Sequence, residues 1–168
     1  INVYGASKLA GERLAAGACR DTLIVRTAWL YGEGGDHFPA KVLRAARAGG
    51  PLRFVTDEVA TPTNAGDLAA AIRGLLERNA APGVYHLTND GDASRYAWAR
   101  EILRLAGIDL PVDAITSPDL RASGHEGPHK PPFSVLANTR ARGLGIVMRG
   151  WREALADYFA RTGGAADG

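Results

Sequence analysis

The 168-residue chain has few cysteines and little net charge, and each shortage excludes a class of protein. Because Cys19 is the only cysteine, no disulfide can form within the chain. A reducing compartment is therefore expected, with the thiol buried or unreactive. The formal net charge of +2 is too small to indicate a nucleic-acid-binding surface. Arginines alternate with acidic residues, a pattern typical of solvated helix faces.

Three further features are missing from the sequence. No apolar run reaches the length of a membrane span, and no signal peptide is visible, so a cytoplasmic location is expected. No glycine-rich dinucleotide fingerprint follows a strand, so the segment that would hold a pyrophosphate is absent. Because the chain opens on Ile1 rather than methionine, we expect it to be the C-terminal part of a longer protein.

What is present is an ordinary globular composition, with 46% hydrophobic and 23% charged residues. Strand and helix patterns alternate, which predicts an α/β fold with at least one parallel βαβ unit. Residues 117–132 show no clear period and are interpreted as a long loop or a segment that covers substrate. The predicted helices span 3–18, 37 to the glycines at 49 and 50, 68–76, 94–106 and 151–161. The predicted strands span 22–25, 52–55, 84–88 and 112–116.

Tyr4 and Lys8 stand four residues apart in the first predicted helix, on one face and one turn apart. A phenol titrates near ~10 and is a poor acid catalyst at neutral pH unless its anion is favoured. An ammonium within about 4–6 Å favours that anion. The pair is a candidate general acid for a carbonyl oxygen, although such pairs also occur on solvated helix faces.

Two segments resemble a known family. Residues 4–12, YGASKLAGE, look like the Tyr-x-x-x-Lys active-site helix of extended short-chain dehydrogenases/reductases, in the form found in the dTDP-4-dehydrorhamnose reductases. Residues 26–32, RTAWLYG, are similar to the Arg-Thr-(Ser/Ala)-Trp-x-Tyr-Gly segment of the same family. The resemblance implies the later part of an NAD(P)-binding, Rossmann-like doubly wound sheet plus a small substrate-binding α/β subdomain. Residues 1–162 would form this incomplete reductase domain, and 163–168 a disordered tail.

The resemblance also implies roles for four residues. Tyr4 would protonate the ketone, and Lys8 would tune Tyr4 and hydrogen-bond the nicotinamide ribose of NADPH or NADH. Trp29 would lie against the deoxysugar, although a core tryptophan at a strand end is the alternative. Lys130 occupies a position where the family has an arginine near the nucleotide sugar. The lysine ammonium is a point charge and cannot form the bidentate hydrogen bonds that an arginine forms with a phosphate. A solvated lysine in a loop is about as well supported as a lysine that contacts the ligand.

The activity that the resemblance implies is reduction of dTDP-4-dehydro-L-rhamnose to dTDP-L-rhamnose by the longer protein, with this chain inactive alone. The expected ligand is a dTDP-sugar, and no binding to nucleic acid or membranes is expected. A homodimer is compatible with the sequence. Two alternatives remain: another nucleotide-sugar epimerase or dehydratase of the family, or a non-catalytic regulatory subunit with the same fold.

One motif points elsewhere. Residues 125–129, HEGPH, match the His-Glu-x-x-His zinc signature, which needs both histidines on one face of a helix. Gly127 and Pro128 disrupt that turn, so we interpret the match as a loop coincidence and expect no metal site.

Overall fold

The computed structural model describes residues 1–124 and 127–163, which alternate between helices and strands. Their α/β architecture agrees with the fold class predicted from the sequence. The helices are α1 Val3–Ala18, α2 Phe38–Arg47, α3 Ala65–Glu77, α4 Arg95–Leu105, α5 Ser117–Ala122, α6 Thr139–Gly143 and α7 Trp151–Thr162. The strands are β1 Leu23–Arg26, β2 Leu30–Tyr31, β3 Leu52–Val55, β4 Val59–Ala60, β5 Thr63–Asn64, β6 Gly83–His86, β7 Ala93–Ser94 and β8 Val112–Ile115.

The strands pair two by two, and three of the pairs are parallel: β1 with β6, β2 with β5, and β3 with β8. The fourth pair, β4 with β7, is antiparallel. Parallel neighbours need a crossover connection, and the helices between the paired strands supply it. The predicted parallel βαβ arrangement is therefore present.

Helices α2 and α4 form because their apolar residues recur on one face and their first turns are capped. The His37 ring accepts a hydrogen bond from the Ala40 amide, and the Ser94 hydroxyl accepts one from the Ala97 amide. Gly107, at φ 67°, follows the end of α4 in the left-handed conformation that glycine adopts most easily. Both helices bury their apolar faces against β3 and against each other.

The buried side chains form two clusters. The larger is aromatic and is centred on the fully buried Trp98, with Trp151 and Tyr31 among its members. The second lies under α3 and β6 and contains Leu75, Tyr85 and Leu87. Each fully buried side chain of this size stabilises the fold by about 1.5–3 kcal/mol relative to exposure. The larger cluster lies directly beneath the cleft described below.

Asp67, in the first turn of α3, fixes this helix to the C-terminal part of the chain. Its carboxylate accepts hydrogen bonds from Arg149 and Asn89, each at 2.8 Å. Arg149 also donates to Asp157 of α7 at 2.9 Å. These hydrogen bonds raise the pKa of Arg149, and the bond from Arg149 lowers the pKa of Asp157.

The structure corrects several predictions. Residues 117–132 are not entirely loop, because Ser117–Ala122 form α5, whose first turn is closed by a reciprocal capping box between Thr116 and Asp119. The apolar period over 68–76 predicts that Leu76 is buried with Leu68 and Leu75, but Leu76 is 61% exposed because the buried stripe of α3 is narrower than its apolar pattern. The continuous apolar run at 22–25 predicts a strand buried on both faces, but β1 is only half-buried.

Helix α1 has the predicted bounds, yet none of its residues is buried. Cys19 at its C-terminal cap is exposed, which excludes the buried interpretation of this thiol. A bidentate ion pair ties α1 to β1: Arg26 donates to both carboxylate oxygens of Glu12, at 2.8 and 2.6 Å. None of the described helices is long and apolar enough to cross a membrane.

Candidate active site and substrate cleft

Helix α1 presents Tyr4 and Lys8 on one face. The Lys8 ammonium lies 5.6 Å from the centroid of the Tyr4 ring, over the ring face. Asn2 fixes the start of the helix, where its side chain accepts a hydrogen bond from the Gly5 amide at 2.7 Å. Tyr4 is 70% exposed, so a ligand can reach its hydroxyl. The two side chains therefore lie close together on one face of α1, and their catalytic role stays a prediction.

A cleft of about 520 Å³ lies over the aromatic core and brings together two of the predicted substrate residues, Trp29 and Lys130. Tyr4 and Lys8 are not among the residues that line it. The walls are aromatic and the rim is mainly basic, and both come from segments distant in sequence. The lining residues are Trp29, Leu30, Phe38, Lys41, Arg53, Phe54, Val55, Glu58, Arg95, Trp98, Leu120 and Lys130.

Trp29 is half-buried and belongs partly to the core and partly to the cleft. Its indole stacks on Trp98 with centroids 5.5 Å apart and planes inclined by 8°. Its backbone has φ of 41°, which is unfavourable for a bulky residue. Such conformations cost of order 1–3 kcal/mol and persist where the surroundings hold them. Trp29 thus packs on the core through one ring face and also lines the cleft, and its contact with a sugar stays a prediction.

Arg95, which the sequence analysis did not select, lies against Trp29 within the cleft. Its guanidinium carbon is 3.7 Å from the Trp29 ring centroid and 4.8 Å from that of Phe38. Burial lowers the pKa of Arg95 to about 10, and the nearby Glu58 carboxylate acts in the opposite direction. The one sequence signal for this residue is a cation in the first turn of a helix, where the macrodipole disfavours positive charge.

Lys130 lies at the rim of the cleft and forms an ion pair with Glu58, with Nζ 3.3 Å from Oε2. The lysine side chain is 47% exposed, whereas Glu58 is only 14% exposed. The preceding residue links this rim to α1, because the His129 carbonyl accepts a hydrogen bond from the Asn2 side chain at 2.7 Å. The start of the Tyr4 helix is thus held beside the segment that carries Lys130.

The His-Glu-x-x-His match includes His125 and Glu126, which lie outside the described residues. Within 1–124 and 127–163, no group of three or more histidine, cysteine, aspartate or glutamate residues could hold a metal ion.

The structure has the Rossmann-like α/β fold of solved dTDP-4-dehydrorhamnose reductases. The enzyme from Bacillus anthracis, solved in complex with NADP, superposes with a TM-score of 0.87 at 29% identity, over 96% of this chain and 55% of that one. A family model described as the RmlD substrate binding domain matches residues 1–163, and the chain belongs to this family.

Two curated relatives are similar over nearly the whole chain. The spore coat polysaccharide biosynthesis protein SpsK of Bacillus subtilis is 36% identical, over 98% of this chain and 56% of its own length. A dTDP-4-dehydrorhamnose reductase of Mycolicibacterium smegmatis is 37% identical, over 98% of this chain and 50% of its own length. The chain thus spans about half the length of the curated relatives it matches.

Proposed function

We propose that the chain is the catalytic-helix and substrate-binding part of a cytoplasmic dTDP-4-dehydrorhamnose reductase that uses NADPH or NADH. The longer enzyme would reduce the C4 ketone of dTDP-4-dehydro-L-rhamnose to give dTDP-L-rhamnose. The observation that carries the proposal is the hydrogen bond between Asn2 and His129, which joins the Tyr4–Lys8 helix to the Lys130 rim of the cleft. The family membership and the NADP complex of the Bacillus anthracis relative support it.

Each of the four side chains has a task in this reaction. The Tyr4 hydroxyl donates a proton to the ketone oxygen, and the Lys8 ammonium stabilises the negative charge left on the phenol. Trp29 offers a flat apolar wall for the deoxysugar. Lys130 attracts the phosphates, with its own charge partly balanced by Glu58. The nicotinamide supplies the hydride when it is bound.

The described residues fit a nicotinamide cofactor at one end only. The exposed Tyr4 hydroxyl and the Lys8 ammonium beside it can hold a ribose hydroxyl through hydrogen bonds. The sequence has no glycine-rich phosphate cradle, so the proposal requires an upstream segment to bind the pyrophosphate.

The experiment is to compare Tyr4→Phe with the wild type in the longer enzyme, by following NADPH oxidation with dTDP-4-dehydro-L-rhamnose. Loss of the proton donor should lower kcat by about 10²–10⁴-fold, the range for general acid catalysis. Tyr96→Phe removes a hydroxyl from α4, outside the cleft and away from α1, and should leave kcat unchanged. Full activity of Tyr4→Phe would show that Tyr4 is not the proton donor, and no turnover by the wild type would favour the non-catalytic regulatory subunit instead.

A further inference from the structure

The donor groups of Arg95 have no protein acceptor among residues 1–124 and 127–163. The contacts that hold its guanidinium are ring faces, those of Trp29 at 3.7 Å, Phe38 at 4.8 Å and Trp98 at 5.6 Å. Stacking of this kind occupies the flat faces of a guanidinium and leaves its N–H groups, which lie in the plane, free to donate. The rings therefore hold the Arg95 guanidinium within the cleft but accept no hydrogen bonds from its in-plane N–H groups.

Stability alone does not explain a cation at this position. Arg95 is the first residue of α4, where the positive end of the helix dipole repels it, and burial removes part of its hydration. The carboxylate near it, Glu58, is already paired with Lys130. Three further cations, Lys41, Arg53 and Lys130, line the same cleft. Lys41 is paired with Asp36 and Lys130 with Glu58, which leaves Arg53 and Arg95 outside these two ion pairs. This surplus of positive charge is suited to a multiply charged anion.

We propose that Arg95 is a second phosphate-binding residue of the cleft, in addition to Lys130, and that the group it holds is the diphosphate of a nucleotide sugar. This inference rests on the proposed function, because the reductase substrate supplies that diphosphate. Two phosphate oxygens match the guanidinium fork, whereas the neutral sugar offers no charged acceptor. Arg95 would thus hold the nucleotide end of the substrate while Trp29 contacts the sugar.

The experiment measures binding of dTDP and of uncharged thymidine to the 168-residue chain, by calorimetry for dTDP and by NMR titration for thymidine. Arg95→Gln should weaken dTDP binding about 10- to 100-fold, the loss expected for a charge-assisted hydrogen bond. Thymidine binding should change by less than about twofold, because thymidine lacks the diphosphate. Arg104→Gln is the matched control, since it makes the same charge change on α4 at an exposed residue paired with Glu101. Its dTDP affinity should equal that of the wild type.

A structural role for Arg95 gives different results. If Arg95 only supports Trp29, Arg95→Gln weakens dTDP and thymidine equally, Arg95→Lys recovers nothing, and both variants have a lower Tm; these results would overturn the proposal. If the diphosphate is the target, Arg95→Lys recovers part of the dTDP affinity because it restores the charge. A wild-type chain that binds dTDP no better than thymidine would also overturn it. The proposed function is tested separately, by turnover of the longer enzyme and its Tyr4→Phe variant.

Discussion

Trp29 lies where the aromatic core meets the cleft, and its surroundings compensate for an unfavourable backbone. The Trp29 φ of 41° is stabilised because the indole stacks on Trp98 and the Arg95 guanidinium lies over the Trp29 ring. An aromatic stack is worth about 0.5–1.5 kcal/mol beyond the area it buries, and a cation–π contact about 0.5–2 kcal/mol. These interactions together are comparable with the backbone strain of about 1–3 kcal/mol. The indole is thus fixed before a ligand arrives.

Trp29→Ala should raise the KM for the dTDP-sugar by about tenfold in the longer enzyme, with a smaller change in kcat. The reason is that the variant removes a wall of the cleft but leaves the proton donor on α1 in place. Steady-state kinetics with varied dTDP-4-dehydro-L-rhamnose measure the changes in KM and kcat separately. Leu144→Ala, at the C-terminal cap of α6, is the control and should change neither constant. Unchanged KM for Trp29→Ala would show that the indole is not a wall of the sugar site.

Helix α1 carries the proposed acid, yet its attachment within the described residues depends on polar contacts. The Glu12–Arg26 pair joins it to β1, and the bond from Asn2 to His129 joins it to the cleft rim. Arg26 donates to Glu12 and lowers the pKa of that carboxyl. The pair therefore contributes stability that is fully present above the ordinary value of 4.5 and is lost as pH falls through the lower folded value.

Glu12→Gln should accelerate hydrogen–deuterium exchange of the α1 amides at neutral pH, because the ion pair to β1 is lost. Wild-type α1 should lose protection to the same extent, relative to the intrinsic exchange rate at each pH, when the pH is lowered through the range in which Glu12 gains a proton, whereas protection of α1 in Glu12→Gln should not change. Mass spectrometry with proteolysis resolves α1 from the rest of the chain. The control, Glu77→Gln, breaks the exposed Arg73–Glu77 pair on α3 and should leave α1 exchange unaltered. Identical α1 exchange in Glu12→Gln and wild type would show that other contacts hold the helix.

Elements with a strong apolar period were predictable from sequence, and short elements were not. The spacing of Val42, Leu43 and Ala46 predicts α2, and the Ser94 cap predicts the start of α4. Two-residue strands such as β4 and β7 are too short to show a period of two. Helix α5 was not predicted because residues 117–132 show no clear period, although Pro118 occupies the first helical turn, where proline is favoured.

For the molecule as a whole, the sequence predicts a site residue only where that residue belongs to a local motif. Tyr4 and Lys8 share one helix turn, and Trp29 and Lys130 lie in segments that resemble the family. Glu58 and Arg95 become cleft residues only when β3, α2 and α4 pack together, a tertiary arrangement that no local spacing encodes. In the proposed reductase, the phosphates of the cofactor would bind outside this sequence, which has no glycine-rich motif.

The 168-residue chain should bind NADPH more weakly than micromolar, since it supplies Tyr4 and Lys8 for the ribose but no phosphate cradle. Isothermal titration calorimetry measures this affinity. The longer enzyme is the comparison and should bind NADPH much more tightly. Micromolar binding to the chain alone would contradict the assignment of cofactor binding to an upstream segment.

The most direct test of the reductase proposal is the fate of the hydride. The longer enzyme is incubated with dTDP-4-dehydro-L-rhamnose and NADPH that carries deuterium at the transferable position, and the sugar product is examined by mass spectrometry and NMR. We predict dTDP-L-rhamnose with one deuterium, at C4, and one NADPH consumed for each sugar reduced. An isomerised or dehydrated sugar without deuterium and without net NADPH consumption would contradict the proposal and favour an epimerase or dehydratase.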